Sequence, residues 1–178
     1  MGMSVSWAAV QGAEGEAVLR ALGLAETGER DELPAESPIA AAALHDGWYV
    51  VVFDRYGHEL VSDDALRRLS RLGDVVAGAA EEHVMCCFSC GWRAGERVWW
   101  LAHDAQEGID HLQVEGTAPA AFDDIRRELL AEQAAAGRSD ADVDYLFDIP
   151  LQTAERVSGF SYSETAPAGG FAVLRAVG

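Results

Sequence analysis

The chain contains no lysine and no asparagine. Without lysine it cannot form a Schiff base with a carbonyl substrate, nor set the P-loop cation against nucleotide phosphates. All thirteen basic residues are therefore arginine. Avoiding both amino acids whose codons begin with two adenines points to a GC-rich genome and a bacterial source. Cysteine is scarce as well. Cys86, Cys87 and Cys90 are an odd number crowded together, which is no basis for a disulfide framework, so reduced thiols are expected. No apolar run approaches the roughly 18 residues that cross a membrane. The start, MGMSVSWAAV, lacks the basic segment and apolar stretch of a secretory signal, so a soluble cytoplasmic protein is expected. No Ser/Gly/Pro linker, low-complexity block or solenoid repeat divides the chain, and residues 1–178 read as one domain.

What the chain has in excess is negative charge. Thirteen basic against thirty acidic residues give a formal charge of −17, a field that repels phosphate backbones and anionic lipid surfaces. Nucleic acid and membrane are thereby excluded as expected partners. The same field attracts a basic protein, and it also keeps a solvated surface soluble.

Hydrophobic periodicity predicts an α+β fold, mainly an antiparallel sheet with three to four helices packed on it. A strand at Val5 to Val10 is followed by a short helix with Val18, Leu19 and Leu22 on one face and Gly23 as its stop. The acidic stretch Glu26 to Glu36 reads as a short strand and a loop. A hairpin joins Ile39 to Leu44 with Trp48 to Arg55, and its run WYVVVF predicts a central strand covered on both faces. Ser62 caps a second helix with Leu66, Leu69 and Leu72 facing inward and Gly73 beyond its end. Three strands follow, Val75 to Cys90, Glu96 to His103 and Ile109 to Gly116, joined by the turns RAG and AQEG. Pro119 opens a third helix that carries Phe122, Ile125 and Leu129 inward and ends before Gly137. The alternation in DADVDYLFDI predicts a half-buried strand ended by Pro150. A short helix near Gln152 to Val157 and a last strand at Phe171 to Val177 complete the order.

Chemistry concentrates between residues 83 and 111. Cys87, Cys90, His103 and His111 offer four zinc ligands, but a strand would send Cys87 and Cys90 to opposite faces, and the histidines are spaced too widely for a finger. Strand register supplies another candidate. A tight turn centred on Ala94 and Gly95 sets Cys86 opposite His103 and Cys90 opposite Trp99, and a turn at Gln106 and Glu107 sets His103 opposite Asp110. Cys86, His103 and Asp110 would then form a row in the order of thiol nucleophile, base and orienting carboxylate. A slip of one residue destroys it, and buried packing is the competing reading. Glu81 and His83 fall on one strand face and Glu82 on the other. Asp140, Asp142, Asp144 and Asp148 resemble a calcium loop but have Tyr145 and Leu151 where such a loop needs Gly and Glu, so they read as an acidic face with a cation site as the alternative. Adjacent Trp99 and Trp100 must point to opposite faces, which puts either a helix over both faces or an indole in solvent.

The segments SWAAV, LRRLS, EEHVM, the Trp-rich strand ending in His103 and Asp104, GIDHLQVEG and VDYLFDIP together resemble a family of small acidic bacterial proteins of unknown function. The resemblance spans most of the chain and implies a single-domain fold, with no activity or ligand attached. The functional expectation is a non-enzymatic acidic binding protein, inhibitor-like or immunity-like, for a basic protein partner, with no cofactor. The alternative is a small-molecule enzyme or metal-binding protein that uses the Cys/His region.

Overall fold

The run Trp48–Phe53 carries no polar side-chain group but the Trp48 indole N–H and the Tyr49 hydroxyl, and as a strand it needs cover on both faces. In the computed structural model, which describes residues 2–136 and 143–178, it is such a strand. The elements run in the order β1 (Ser4–Gln11), α1 (Gly15–Leu22), β2 (Leu24–Asp31), β3 (Ile39–Ala43), β4 (Trp48–Phe53), α2 (Asp63–Leu69), β5 (Asp74–Glu81), β6 (Cys86–Arg93), β7 (Glu96–Asp104), β8 (Gln113–Gly116), α3 (Phe122–Ala136), α4 (Tyr145–Ser158) and β9 (Phe171–Ala176). The nine described strands form one sheet, β2-β9-β3-β4-β1-β5-β6-β7-β8, with every neighbouring pair antiparallel. This is the α+β architecture that the periodicity predicts. Among the described residues, no helix is long and apolar enough to cross a membrane.

Alternation along each strand builds two cores. Ala8, Val10, Val51 and Phe53 pack with Val18, Leu22, Leu66 and Leu69 of α1 and α2. Val5, Trp7, Ala9, Val50 and Val52 point to the other face, where Leu146, Phe147 and Ile149 of α4 cover them and Ile125 and Leu129 of α3 join the same cluster. Local signals place the helices. Gly23 ends α1 at φ 68°, a left-handed conformation that costs glycine least, and Ser62 Oγ accepts the Ala65 N–H at the start of α2.

Five expectations need correction. Val75 to Cys90 is two strands, because residues 82–85 form a turn with Met85 at φ 51°. Helix α2 stops at Leu69, so Leu72 lies beyond it, 40% exposed rather than inward. Strand β8 starts at Gln113 and α3 at Phe122, each later than expected. The expected strand DADVDYLFDI is instead the start of α4. Asp144 Oδ1 accepts the N–H groups of Leu146 and Phe147, and the buried residues 146, 149, 150, 153 and 154 keep helical spacing. Pro150 therefore sits inside the helix instead of ending a strand. Gly137, Asp140 and Asp142 lie outside the described residues.

Candidate functional site

The β6–β7 hairpin turns where expected, with Ala94 and Gly95 both at positive φ and Arg93 opposite Glu96. Three residues later the register shifts, since Trp92 pairs with Arg97 but Gly91 pairs with Trp99, leaving Val98 as an extra residue on β7. Every pair beyond that bulge moves by one. Cys86 faces Asp104, Cys87 faces His103 and Cys90 faces Trp100. The row Cys86, His103, Asp110 is therefore not assembled. Cys86 points to the α1/α2 side of the sheet, with its sulfur 3.4 Å from the Tyr56 hydroxyl, and Asp110 is exposed in the turn before β8.

Cys87 and His103 instead share the α4 face, and Asp144 meets them there. His103 is fully buried. Its Nδ1 donates to the His111 carbonyl at 2.6 Å, and its Nε2 lies 2.8 Å from Asp144 Oδ2, so nitrogen and carboxyl share one proton. Cys87 donates its thiol hydrogen to the Phe147 carbonyl at 3.1 Å, and Ser89 donates to the Pro150 carbonyl at 2.7 Å. Cys87 and Ser89, alternate residues of β6, and His103, opposite Cys87 on β7, thus hold the start and first two turns of α4. Burial pushes the Cys87 thiol well above its ordinary range, which keeps it a hydrogen-bond donor rather than a nucleophile.

The four zinc candidates are not brought together. Cys87 belongs to the core under α4 and Cys90 to the core under α1 and α2, where burial pushes its thiol up to about 12. His111 Nδ1 accepts the Asp104 N–H at 2.9 Å. Among the described residues, no three His, Cys, Asp or Glu side chains are placed to hold one metal ion. His83 Nδ1 lies 2.6 Å from Glu81 Oε1 at the solvent-facing end of β5, which joins the two side chains expected on one face. Trp99 is buried under the α4 face, and Trp100 on the other face is half-buried, stacked on Phe88 at 4.6 Å beneath the Arg97 guanidinium.

The tethers of α4 hold up one wall of an acidic cleft. Two hollows of about 440 and 200 Å³ lie side by side, and Asp148 and Tyr162 line both. Glu82, Asp144, Glu155 and Glu164 add four more carboxylates to their walls, and no arginine lines either hollow. Tyr162 stacks on Trp7 with ring centroids 5.9 Å apart and donates to Glu82 Oε1 at 2.8 Å, while the Met3 N–H donates to Glu82 Oε2 at 2.8 Å. Glu82 is thereby held in place. Asp148 makes no hydrogen bond or ion pair among the described residues. Burial, reinforced by the charges of Asp144, Glu132 and Glu82, pushes its carboxyl up to about 6. Burial and the neighbouring Glu164 also raise Glu155. Sequence reasoning identified Asp144 and Asp148 as part of an acidic face and missed Tyr162, Glu155 and Glu164. The available signal for Glu155 was its helical spacing from Asp148, which the strand reading obscured, whereas Tyr162 and Glu164 follow the helix and carried no such spacing.

An unpaired carboxylate held against its own kind costs stability. The raised affinity of Asp148 for its proton means its contribution is fully present below pH 4 and is lost as pH rises through about 6. Asp148→Asn is therefore expected to stabilise the protein at neutral pH by about 1–2 kcal/mol, since partial solvent screening softens the cost of the charge. Thermal melts should show a gain of about 2–8 °C at pH 7.5 that vanishes below pH 4. An unchanged melting temperature at pH 7.5 would show that the charge is already compensated.

In comparisons with known proteins, no family, curated protein or solved structure matches the chain.

Proposed function

We propose that the chain is a non-enzymatic acidic binding protein of the bacterial cytoplasm, allied to the small acidic bacterial proteins whose motifs it resembles, and that it receives a basic protein partner in the cleft beside α4. An inhibitor-like or immunity-like role follows from such capture. The observation that carries this reading is Asp148, a largely buried carboxylate without a counter-ion in a cleft whose walls add four further acids. A guanidinium or ammonium group from a partner supplies the missing charge, and the Trp7–Tyr162 stack offers an aromatic wall to its stem. The use of Cys87, His103 and Ser89 as tethers for α4 supports binding over nucleophilic chemistry, since none is left free to reach a substrate. The net charge of −17 adds long-range attraction at low ionic strength.

The test separates the cleft from the general field. Calorimetric titration with a short Arg-rich peptide at low ionic strength compares a cleft pair, Glu82→Gln with Asp148→Asn, against a remote pair, Glu29→Gln with Glu32→Gln. Both pairs change the net charge equally. The cleft pair is expected to weaken binding by about tenfold or more and the remote pair by no more than about twofold. Equal losses, or no binding by the parent protein at low salt, would refute the cleft as the receiving site.

A further inference from the structure

A further hollow lies on the opposite face of the sheet from the acidic cleft. About 650 Å³ in volume, it opens between α1 and β2, within the roughly 300–1,000 Å³ typical of small-molecule pockets. Its apolar walls are Leu19 of α1, Leu24 of β2 and Val177 at the end of the chain, and its inner wall is Tyr49 of β4. Leu19 and Leu24 are buried, whereas Val177 is 54% exposed and marks the open side.

The walls are held close. Gly15 opens α1 directly on the Tyr49 ring, where any side chain would place its Cβ 2.5 Å from Cε2. The Val177 N–H donates to the Gly23 carbonyl at 2.8 Å, which ties the chain end to the turn between α1 and β2. Polar groups at the mouth are few and unequal in charge. Arg20 is paired with Glu16 at 2.7 Å, so those two neutralise each other. Glu26 lines the hollow with no hydrogen bond or ion pair among the described residues, and its negative charge acts on the Tyr49 hydroxyl. The Tyr49 hydroxyl likewise has no hydrogen-bond partner among those residues. Burial and the Glu26 charge, opposed by the more weakly acting Arg30, push this phenol up to about 12, so it remains a neutral hydroxyl that can accept from a cation.

An apolar chamber with one unpaired carboxylate and one neutral hydroxyl at its mouth matches a particular ligand chemistry. We propose that the cavity between α1 and β2 binds a small apolar amine, with the ammonium between the Glu26 carboxylate and the Tyr49 hydroxyl and the hydrophobic body against Leu19, Leu24 and Val177. An anionic ligand would meet Glu26 within a field of the same sign, and a neutral one would leave the carboxylate unpaired.

Three ligands of matched shape test this. Titration of the full chain with 4-phenylbutylamine, 4-phenylbutanol and 4-phenylbutyrate, followed through the backbone amide shifts of Gly15, Leu19 and Leu24, is expected to show the amine binding about tenfold more tightly than the alcohol, and the acid most weakly. Glu26→Gln should bring the amine down to the alcohol, while the cleft pair Glu82→Gln with Asp148→Asn should leave amine binding unchanged. Equal binding of amine and alcohol to the parent protein, shifts that avoid these residues, an unaffected Glu26→Gln variant, or no saturable binding of the amine would overturn the proposal. Because the cleft variants act as a control here, failure of this site is distinguishable from failure of the cleft.

Discussion

His103→Leu is expected to destabilise the protein by about 3–5 kcal/mol, read as a shift in the chemical denaturation midpoint with no change in its slope. The imidazole is sealed from solvent and serves two acceptors, the His111 carbonyl and Asp144 Oδ2. Leucine fills much of its volume but leaves the Asp144 carboxyl without a donor while Oδ1 remains committed to the first N–H groups of α4. The damage should therefore concentrate at the start of α4 and appear in hydrogen exchange at residues 146–150 before the sheet responds. The double variant His103→Leu with Asp144→Asn tests the cause. Asparagine keeps an oxygen to cap the helix and removes the stranded charge, so more than half of the loss should be recovered. A single-variant loss below about 1 kcal/mol, or no recovery in the double variant, would show that the pair is not what fastens α4 to the sheet.

Gly91→Ala should cost about 2–3 kcal/mol through overpacking, a large penalty for one methyl group. Gly91 faces Trp99 across the β6–β7 ladder, and an ideal Cβ there would overlap the indole ring around its nitrogen. The ring cannot retreat far, since Trp99 belongs to the core under α4. Gly91 is also where the bulge resets the register, so the substitution strains the pairing that puts Cys87 opposite His103. Gly78 supplies an internal comparison, because an added Cβ would lie 2.5 Å from Trp7 Cζ2 and 2.8 Å from the Phe88 carbonyl oxygen within regular pairing. Gly78→Ala should destabilise without disturbing the amide shifts of Cys87 and His103, whereas Gly91→Ala should move both. If Gly91→Ala melts within about 1 °C of the parent, the tight seating of Trp99 is wrong.

These same residues show why some of the protein can be read from its sequence and some cannot. Hairpins and short helices rest on local chemistry, and Gly23, Ser62, Ala94 and Gly95 stand where that chemistry places them. The candidate row failed over a single inserted residue. Turn geometry correctly pairs Arg93 with Glu96, but Val98 bulges out two residues later and transfers His103 from Cys86 to Cys87. Gly91 was the available sign, since a lone glycine inside a strand often marks a bulge. Helix α4 was misread for a different reason. Its acids alternate as a strand's would, and only the tertiary partners of Asp144, Phe147 and Pro150 on β6 and β7 settle that the segment winds into a helix. The cleft inherits that obscurity because Asp148, Glu155 and Tyr162 meet only once α4 exists.

Asp148 reports most directly on the proposed function. In the free protein its carboxyl ¹³C resonance should titrate with a midpoint of about 6. Linkage requires that a cation bound beside it pull that midpoint down, and that the Arg-rich peptide bind about tenfold less tightly at pH 5 than at pH 7.5. With saturating peptide, the midpoint should return toward the ordinary carboxylate range near 4. A midpoint that stays near 6 while the peptide is bound would contradict the proposal, because the cation would then lie elsewhere on the acidic surface.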